Sequence, residues 1–312
     1  MNNSFFIPGD VPLQSKDTYK NNWQVFTKGT GRVLLFAGDQ KIEHLNEDFY
    51  DQDEEDLIAD EDASPQHLFH IAANSPVSAL AVQIGLASQY GNDFPTVPLL
   101  IKLNSKSPLV KTEQRDPVSL AFTSVNDVVE LKRNGLNVIG VGYTLFLGSE
   151  YEAEMLKEAA KIINDAHRYG LLAVLWVYPR GKAVQNERSI EIISGATGVA
   201  ASLGADFVKV NCPEGEIEES ATELRQATLA AGKTGVIISG GSNTSAANYI
   251  YKTILQLKLG KTSGIAVGRN IHQRPHEDAV NLCRGLAALI FDNADENTAL
   301  GIATGRIKSE IN

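Results

Sequence analysis

The sequence predicts an α/β chain closed into a (β/α)8 barrel, and three observations carry that prediction. Eight short, continuously apolar segments recur along the 312 residues. Helical patterns separate them, as connections between parallel strands require. Side chains capable of chemistry follow many different segments, which suits a barrel mouth better than the single crevice of a doubly wound open sheet, the competing architecture. Such a (β/α)8 (TIM) barrel usually takes about 250 residues. The extension over residues 1–30 and an acidic insertion over 47–63, after the first strand, account for the excess. No repeat or low-complexity linker divides the chain, so 1–312 reads as one domain.

Taken in order, the strands are expected at 33–38, 79–84, 99–103, 138–142, 172–178, 207–210, 236–239 and 265–267. Their unbroken apolar character fits parallel strands buried on both faces. The helices between them are expected at 65–74, 125–133, 150–169, 188–203, 219–231, 246–259 and 277–292. The clearest is 150–169, with Met155, Leu156, Ala159, Ile162 and Ile163 at helical spacing. Ser149 with Glu152 predicts a capping box at its start, and Gly170 predicts its stop.

Composition narrows the function. The apolar fraction of 43% supports a large core, and no apolar run is long enough to span a bilayer. The polar start does not read as a secretion signal. The formal charge of −10 argues against nucleic-acid partners. That charge is local. Glu47, Asp48, Asp51, Asp53, Glu54, Glu55, Asp56, Asp60, Glu61 and Asp62 run without an intervening Lys or Arg. Without those ten, the 38 acidic residues fall to 28, equal to the basic ones. A solvated loop is the expected form of this run, with a lid or an oligomer contact as alternatives. Asp51 to Asp56 superficially matches a calcium loop but lacks glycine at the sixth position. Cys212 and Cys283 have no metal-ligand spacing and read as buried thiols of a reducing cytoplasm. His67 and His70 are three apart, and His272 and His276 are separated by Pro275. Neither pair makes a convincing metal site, so no metal or cofactor is expected. The expected assembly is a homo-oligomer.

A barrel gathers the C-terminal ends of its strands around one mouth. Asp39, Glu43 and His44 follow the first strand, and Lys102 and Asn104 the third. Trp176, Tyr178 and Arg180 end the fifth, and Lys209 lies on the sixth. A lysine in an apolar strand pays desolvation, which lowers its pKa and makes the amine a nucleophile toward carbonyls. The alternative for Lys209 is a strand-end lysine with its ammonium in water. Tyr178 and Trp176, two apart, share a side of their strand; both are also ordinary strand aromatics. Asp39 is a candidate to stabilise an iminium or move a proton, or simply a turn residue. Ser239-Gly240-Gly241-Ser242 follows the seventh strand and Gly268-Arg269-Asn270 the eighth. Glycines there let main-chain N–H groups approach an anion, and Arg269 adds a charged fork. Barrels often hold phosphate at these two loops, although ordinary strand-to-helix turns share the pattern.

In combination these residues resemble the archaeal-type class I fructose-bisphosphate aldolases. The likeness runs from about Val33 to Gln273. It rests on Asp39-Gln40-Lys41-Ile42-Glu43-His44, Ile101-Lys102-Leu103-Asn104, Phe146-Leu147-Gly148-Ser149-Glu150, Val174-Leu175-Trp176-Val177-Tyr178-Pro179-Arg180-Gly181, Gly204-Ala205-Asp206-Phe207-Val208-Lys209, Ser239-Gly240-Gly241 and Gly268-Arg269-Asn270. Each piece is short; their shared order and spacing are specific. The resemblance implies a metal-independent, Schiff-base aldolase acting on a phosphorylated sugar. In it, Lys209 would be the Schiff-base lysine, Tyr178 the principal acid/base and Asp39 the acidic partner. Trp176, Arg180, Lys102 and His44 would contact substrate. Ser239, Gly240, Gly241, Gly268 and Arg269 would bind phosphate. The same lysine also suits transaldol transfer, as in heptulosonate synthesis, or thiolase-like cleavage; a phosphosugar-binding barrel without turnover is the non-enzymatic alternative. The family often has glycine where Lys41 stands, so Lys41 is expected to add charge near the sugar phosphate.

Overall fold

The computed structural model describes residues 5–44, 48–49, 58–107, 109, 115–241 and 243–308. Eight parallel strands close into a barrel in chain order, with the first pairing the last. They are β1 (Val33–Ala37), β2 (Ala79–Gln83), β3 (Leu99–Lys102), β4 (Val138–Leu147), β5 (Leu172–Pro179), β6 (Phe207–Val210), β7 (Gly235–Ser239) and β8 (Gly264–Val267). The helices are α1 (Lys16–Thr27), α2 (Gln40–Glu43), α3 (Gln66–Ala73), α4 (Ile84–Tyr90), α5 (Val125–Arg133), α6 (Glu152–Arg168), α7 (Ile190–Leu203), α8 (Ile217–Ala231), α9 (Ala246–Lys258), α10 (Arg269–His272), α11 (His276–Phe291) and α12 (Glu296–Ala303). Each expected helix and strand is present.

Two layers of core follow from the two faces of each strand. Leu34, Phe36, Leu80, Val208, Val210, Val236 and Ile265 face outward against the helices. Leu35, Ala81, Leu100, Val174, Trp176, Phe207 and Ile237 fill the interior. In register, Trp176 pairs with Lys209, and Lys209 with Ile237, so one interior level carries the aromatic and the amine.

Four features depart from expectation. Strand β4 runs past Gly142, which reads as a stop, and continues beside β5 as far as Leu147. Gly142 instead makes room inside the barrel, because a Cβ there would lie 2.6 Å from the Trp176 ring and 2.8 Å from Lys102. The capping box of α6 does not form as predicted. Ser149 Oγ donates to Pro117 O at 2.7 Å, while Glu152 accepts from the Gly148 N–H. Gly170 does end the helix, at φ +68°.

The N-terminal stretch, expected only as an extension, contains α1, which closes the bottom of the barrel. Its Tyr19 and Phe26 are buried with Val33, Leu172 and Phe207, and the Phe26 and Phe207 rings meet edge-on at 5.0 Å. Tyr19 Oη donates to Asp206, which also accepts from Ala173 N and His167 Nε2 at 2.8 and 3.2 Å. Asp10 lies 2.8 Å from His167 Nδ1.

The acidic run is not wholly solvated. Asp62 is fully buried, and Phe49 is buried against His272 with rings stacked at 4.8 Å. Glu47, Asp51, Asp53, Glu54, Glu55 and Asp56 lie outside the described residues, and so does Ser242. Cys212 and Cys283 are free and buried. Among the described residues no helix is long and apolar enough to cross a membrane, and no group of three or more His, Cys, Asp or Glu is placed to hold a metal ion.

Candidate active site

A cavity of about 760 Å³ opens where the strands end. Its wall includes Lys209, Tyr178, Asp39, Arg180, His44, Ser239, Gly240, Gly241, Gly268 and Arg269. A smaller cavity of about 420 Å³ lies at the strand starts, beside Arg32, Lys258, Lys261 and Asp295, and holds none of the candidate groups.

Lys209 sits on β6 between outward-facing Val208 and Val210, so its side chain points inward. Only 8% of it is exposed, which excludes an ammonium snorkelled into bulk water. Burial lowers its pKa; Asp39 and Glu43 oppose that shift, and Arg269 adds to it. The amine therefore reaches its neutral, nucleophilic form at a lower pH than a free lysine. Its Nζ lies 5.3 Å from the Trp176 ring, which forms the floor with its indole fully buried.

Asp39 follows β1 and is buried. Burial pushes its carboxyl up, but Lys102 and Lys209 outweigh that penalty and hold it below the usual carboxylate range. Lys102 Nζ donates to Asp39 Oδ2 at 3.2 Å and to Thr144 Oγ1 at 2.6 Å, with Glu43 Oε1 at 3.7 Å. Lys102 is thus fully enclosed, 4.4 Å above the Trp176 ring. Lys102 and Trp176, expected at the substrate, lie beneath the cavity wall, because interior strand positions bury them one level lower. Tyr178 ends β5 at the wall; burial, then Glu43 and Asp39, push its phenol well above the ordinary range. At neutral pH the site therefore combines a phenol, a carboxylate and an amine with a depressed pKa.

Between the strands that carry Lys209 and Asp39 are the two glycine turns. Gly241 has φ +75° with open space beside it, and a Cβ on Gly268 would lie 2.4 Å from the Gln40 amide. Gly241 leaves its main chain open toward an anion, while the space beside Gly268 holds the Gln40 amide. Ser239 Oγ donates to Asn211 Oδ1 at 2.8 Å. Arg269 begins α10 and is 3.7 Å from Asp48. Arg180, half-exposed, forks onto Glu187 at 2.8 and 3.3 Å. His44 Nδ1 lies 2.8 Å from Asp48 Oδ2.

Lys41 turns away from the cavity and does not charge its wall. Its Nζ donates to Asp62 O and Ala63 O at 2.6 and 3.0 Å and stands 3.7 Å over the Phe49 ring. Burial lowers its amine to about 8, against the opposing pull of Asp62.

Gln40, Lys106, Thr144 and Asn211 also line the cavity and were not singled out from the sequence. Asn211 follows β6 and was accessible to the strand-end argument. Thr144 was hidden by ending β4 at Gly142. Lys106 lies in the loop after β3, and nothing in its spacing marks it.

Residues 33–274 match the DeoC/LacD family of aldolases. A protein of Methanocaldococcus jannaschii named fructose-bisphosphate aldolase/6-deoxy-5-ketofructose 1-phosphate synthase is 46% identical over 300 residues, which is 96% of this chain and 94% of that protein. A solved fructose-bisphosphate aldolase from Slackia heliotrinireducens superposes with a TM-score of 0.94 at 44% identity, covering 100% of this chain and 98% of the other. An archaeal fructose-1,6-bisphosphate aldolase, solved with its catalytic lysine bound to the carbinolamine intermediate, superposes at 0.73 with 32% identity, over 87% and 99% of the two chains.

Proposed function

The chain belongs to the DeoC/LacD family of aldolases, and on that premise we propose that it is a class I fructose-bisphosphate aldolase. It would reversibly cleave fructose 1,6-bisphosphate to dihydroxyacetone phosphate and glyceraldehyde 3-phosphate. One observation carries the reading. Buried Lys209 opens onto the same cavity as Asp39, Tyr178 and both glycine turns.

In this reading, neutral Lys209 adds to the C2 ketone, and the carbinolamine loses water to an iminium. That cation draws in the C3–C4 bonding pair while the C4 hydroxyl gives up its proton. Glyceraldehyde 3-phosphate leaves, and an enamine stays on Lys209. Protonation at C3 and hydrolysis of the iminium free dihydroxyacetone phosphate and restore the amine. The proton taken at C4 balances the one delivered at C3. The electrostatics suit Tyr178 as the phenol that donates and Asp39 as the carboxylate that accepts and balances the iminium. Ser239, Gly240, Gly241, Gly268 and Arg269 would hold one phosphate. Arg180 and His44 would meet the rest of the substrate. Anchoring the phosphate keeps the ketone against Lys209, replacing a bimolecular encounter with an oriented one. Lys102 and Trp176 would act from beneath, by holding Asp39 and shaping the floor.

A second reading has one specific support. The Methanocaldococcus relative's name carries a synthase activity beside the aldolase. The same enamine passed to a different aldehyde would be a transaldol transfer. We also place the protein in the cytoplasm as a homo-oligomer. Two free buried thiols suit a reducing compartment, and light scattering tests the assembly.

Borohydride trapping tests the core of the proposal. Fructose 1,6-bisphosphate or dihydroxyacetone phosphate with reductant should leave a stable adduct on Lys209, located by mass spectrometry. Lys209→Met should form none and lose cleavage. An unmodified Lys209, or turnover in that variant, refutes the Schiff base. Activity should also survive a chelator; loss that a divalent metal reverses points to a metal aldolase.

A further inference from the structure

The C-terminal end of the acidic insertion reaches the cavity through three side chains. Asp62 Oδ2 lies 2.6 Å from His272 Nδ1, and His272 Nε2 lies 2.7 Å from Gln40 Oε1. Asp62 and His272 are both fully buried, while Gln40 lines the cavity directly after Asp39. The chain of contacts thus runs from the insertion into the proposed active site.

Donor and acceptor rules make that chain directional. A carboxylate only accepts, so Nδ1 of His272 carries a proton toward Asp62. Nε2 meets the Gln40 carbonyl oxygen, so it donates too. The ring thus meets an acceptor at each nitrogen, Asp62 on one side and Gln40 on the other. Because the Gln40 oxygen is taken, its NH2 group faces the cavity. An Nε2 that accepted instead would meet the NH2 end, turn the amide over and present the oxygen to the cavity.

The direction matters because of where the amide lies. A Cβ on Gly268 would come within 2.4 to 2.8 Å of the Oε1, Cδ and Nε2 atoms of Gln40. The amide therefore lies against the bare backbone of the eighth-strand turn. The ring of His272 has little freedom to change the arrangement. Phe49 stacks on it with a 16° interplanar angle, and His67 Nε2 donates to the His272 carbonyl at 3.0 Å. Lys41 ties the segment bearing Asp62 to α2 through its two carbonyl contacts.

We propose that Gln40 is a substrate-contacting residue whose amide N–H donates to the phosphate at the Gly268–Arg269 turn, and that Asp62 and His272 are positioning residues which keep the donor end toward the cavity. The proposal rests on the aldolase reading above and deepens it. The insertion then contributes to phosphate selectivity, through Asp62, rather than serving only as a surface loop.

The experiment measures half-saturating concentrations for borohydride adduct formation on Lys209, with dihydroxyacetone phosphate and with unphosphorylated dihydroxyacetone. The value for dihydroxyacetone divided by that for dihydroxyacetone phosphate reports phosphate recognition and is insensitive to a general loss of amine reactivity. Gln40→Glu keeps the side-chain shape but puts an acceptor-only, anionic group at the phosphate. It should reduce the ratio about tenfold or more, as expected for a lost hydrogen bond to a charged group. Gln40→Met should reduce it less, having no charge. Asp62→Asn, if folded, should shift the ratio in the same direction, because the ring loses the carboxylate that fixes its orientation at Nδ1. An unchanged ratio in Gln40→Glu, with normal trapping in wild type, overturns this proposal and leaves the aldolase reading standing. No adduct on Lys209 in wild type overturns the aldolase reading and this proposal with it.

Discussion

Lys102 and Lys209 lie 4.4 and 5.3 Å from the ring of Trp176, and their surroundings suit them to different tasks. Lys102 spends its donors on Asp39 and Thr144 and has no exposed surface. Lys102→Met should therefore lower kcat, on the order of 10²-fold, by freeing Asp39 of its cation. KM should change little; a rise in KM with kcat preserved would instead mark Lys102 as a direct substrate contact. Lys209 faces the cavity with Asp39 and Glu43 opposing the burial that lowers its pKa. Asp39→Asn removes one opposing charge, so the neutral amine should appear at lower pH. The acidic limb of the trapping rate against pH should move down, and movement upward contradicts the assigned electrostatics. These strand-end residues were legible because a barrel's connectivity tells where a strand end goes. Gln40 was not, since its role depends on His272, 232 residues away, and on Asp62, 210 residues from that histidine.

Strand β4 shows why elements are harder to delimit than to detect. Glycine usually weakens a strand, so the apolar run before Gly142 reads as finished. The structure uses the missing side chain to admit Trp176 and Lys102 into the barrel, and Tyr143 to Leu147 carry the pairing onward. Gly142→Ala should overpack this level and cost about 1–3 kcal/mol in denaturant unfolding. It should also impair adduct formation by displacing the floor beneath Lys209. Wild-type stability in that variant would show that the interior relaxes more freely than the close contacts imply. Helix α1 was missed for a different reason. Its sequence is mostly polar, and Tyr19 and Phe26 become informative only when the open bottom of a barrel awaits them. The apolar strands carry their periodicity within themselves; a plug is defined by what it covers.

The molecule as a whole separates chemistry at the strand ends from stability at the strand starts. At the lower face, His167 is buried between Asp10 and Asp206, and Asp206 also holds Tyr19 of the plug. Burial alone would lower the imidazole, but the hydrogen bonds and charges of Asp206 and Asp10 outweigh it and raise its pKa from 6.5 to about 9. A folded pKa above the unfolded one means that folding favours the protonated ring. Its stabilisation is complete below about 6.5 and is lost as pH rises through about 9. The contribution is on the order of 3 kcal/mol. Wild-type Tm should accordingly decline between pH 6.5 and 9 relative to His167→Gln, whose ring-free network cannot titrate there. The difference between the two profiles isolates this group from every other titration. The Lys209 adduct rate per folded molecule should be the same in both proteins at neutral pH, because the network lies at the opposite end of the barrel. If the two Tm profiles stay parallel across that range, His167 is not the proton-linked clamp of the plug. If the variant instead loses adduct formation while folded, the two faces are coupled, and the separation of tasks along the barrel axis fails.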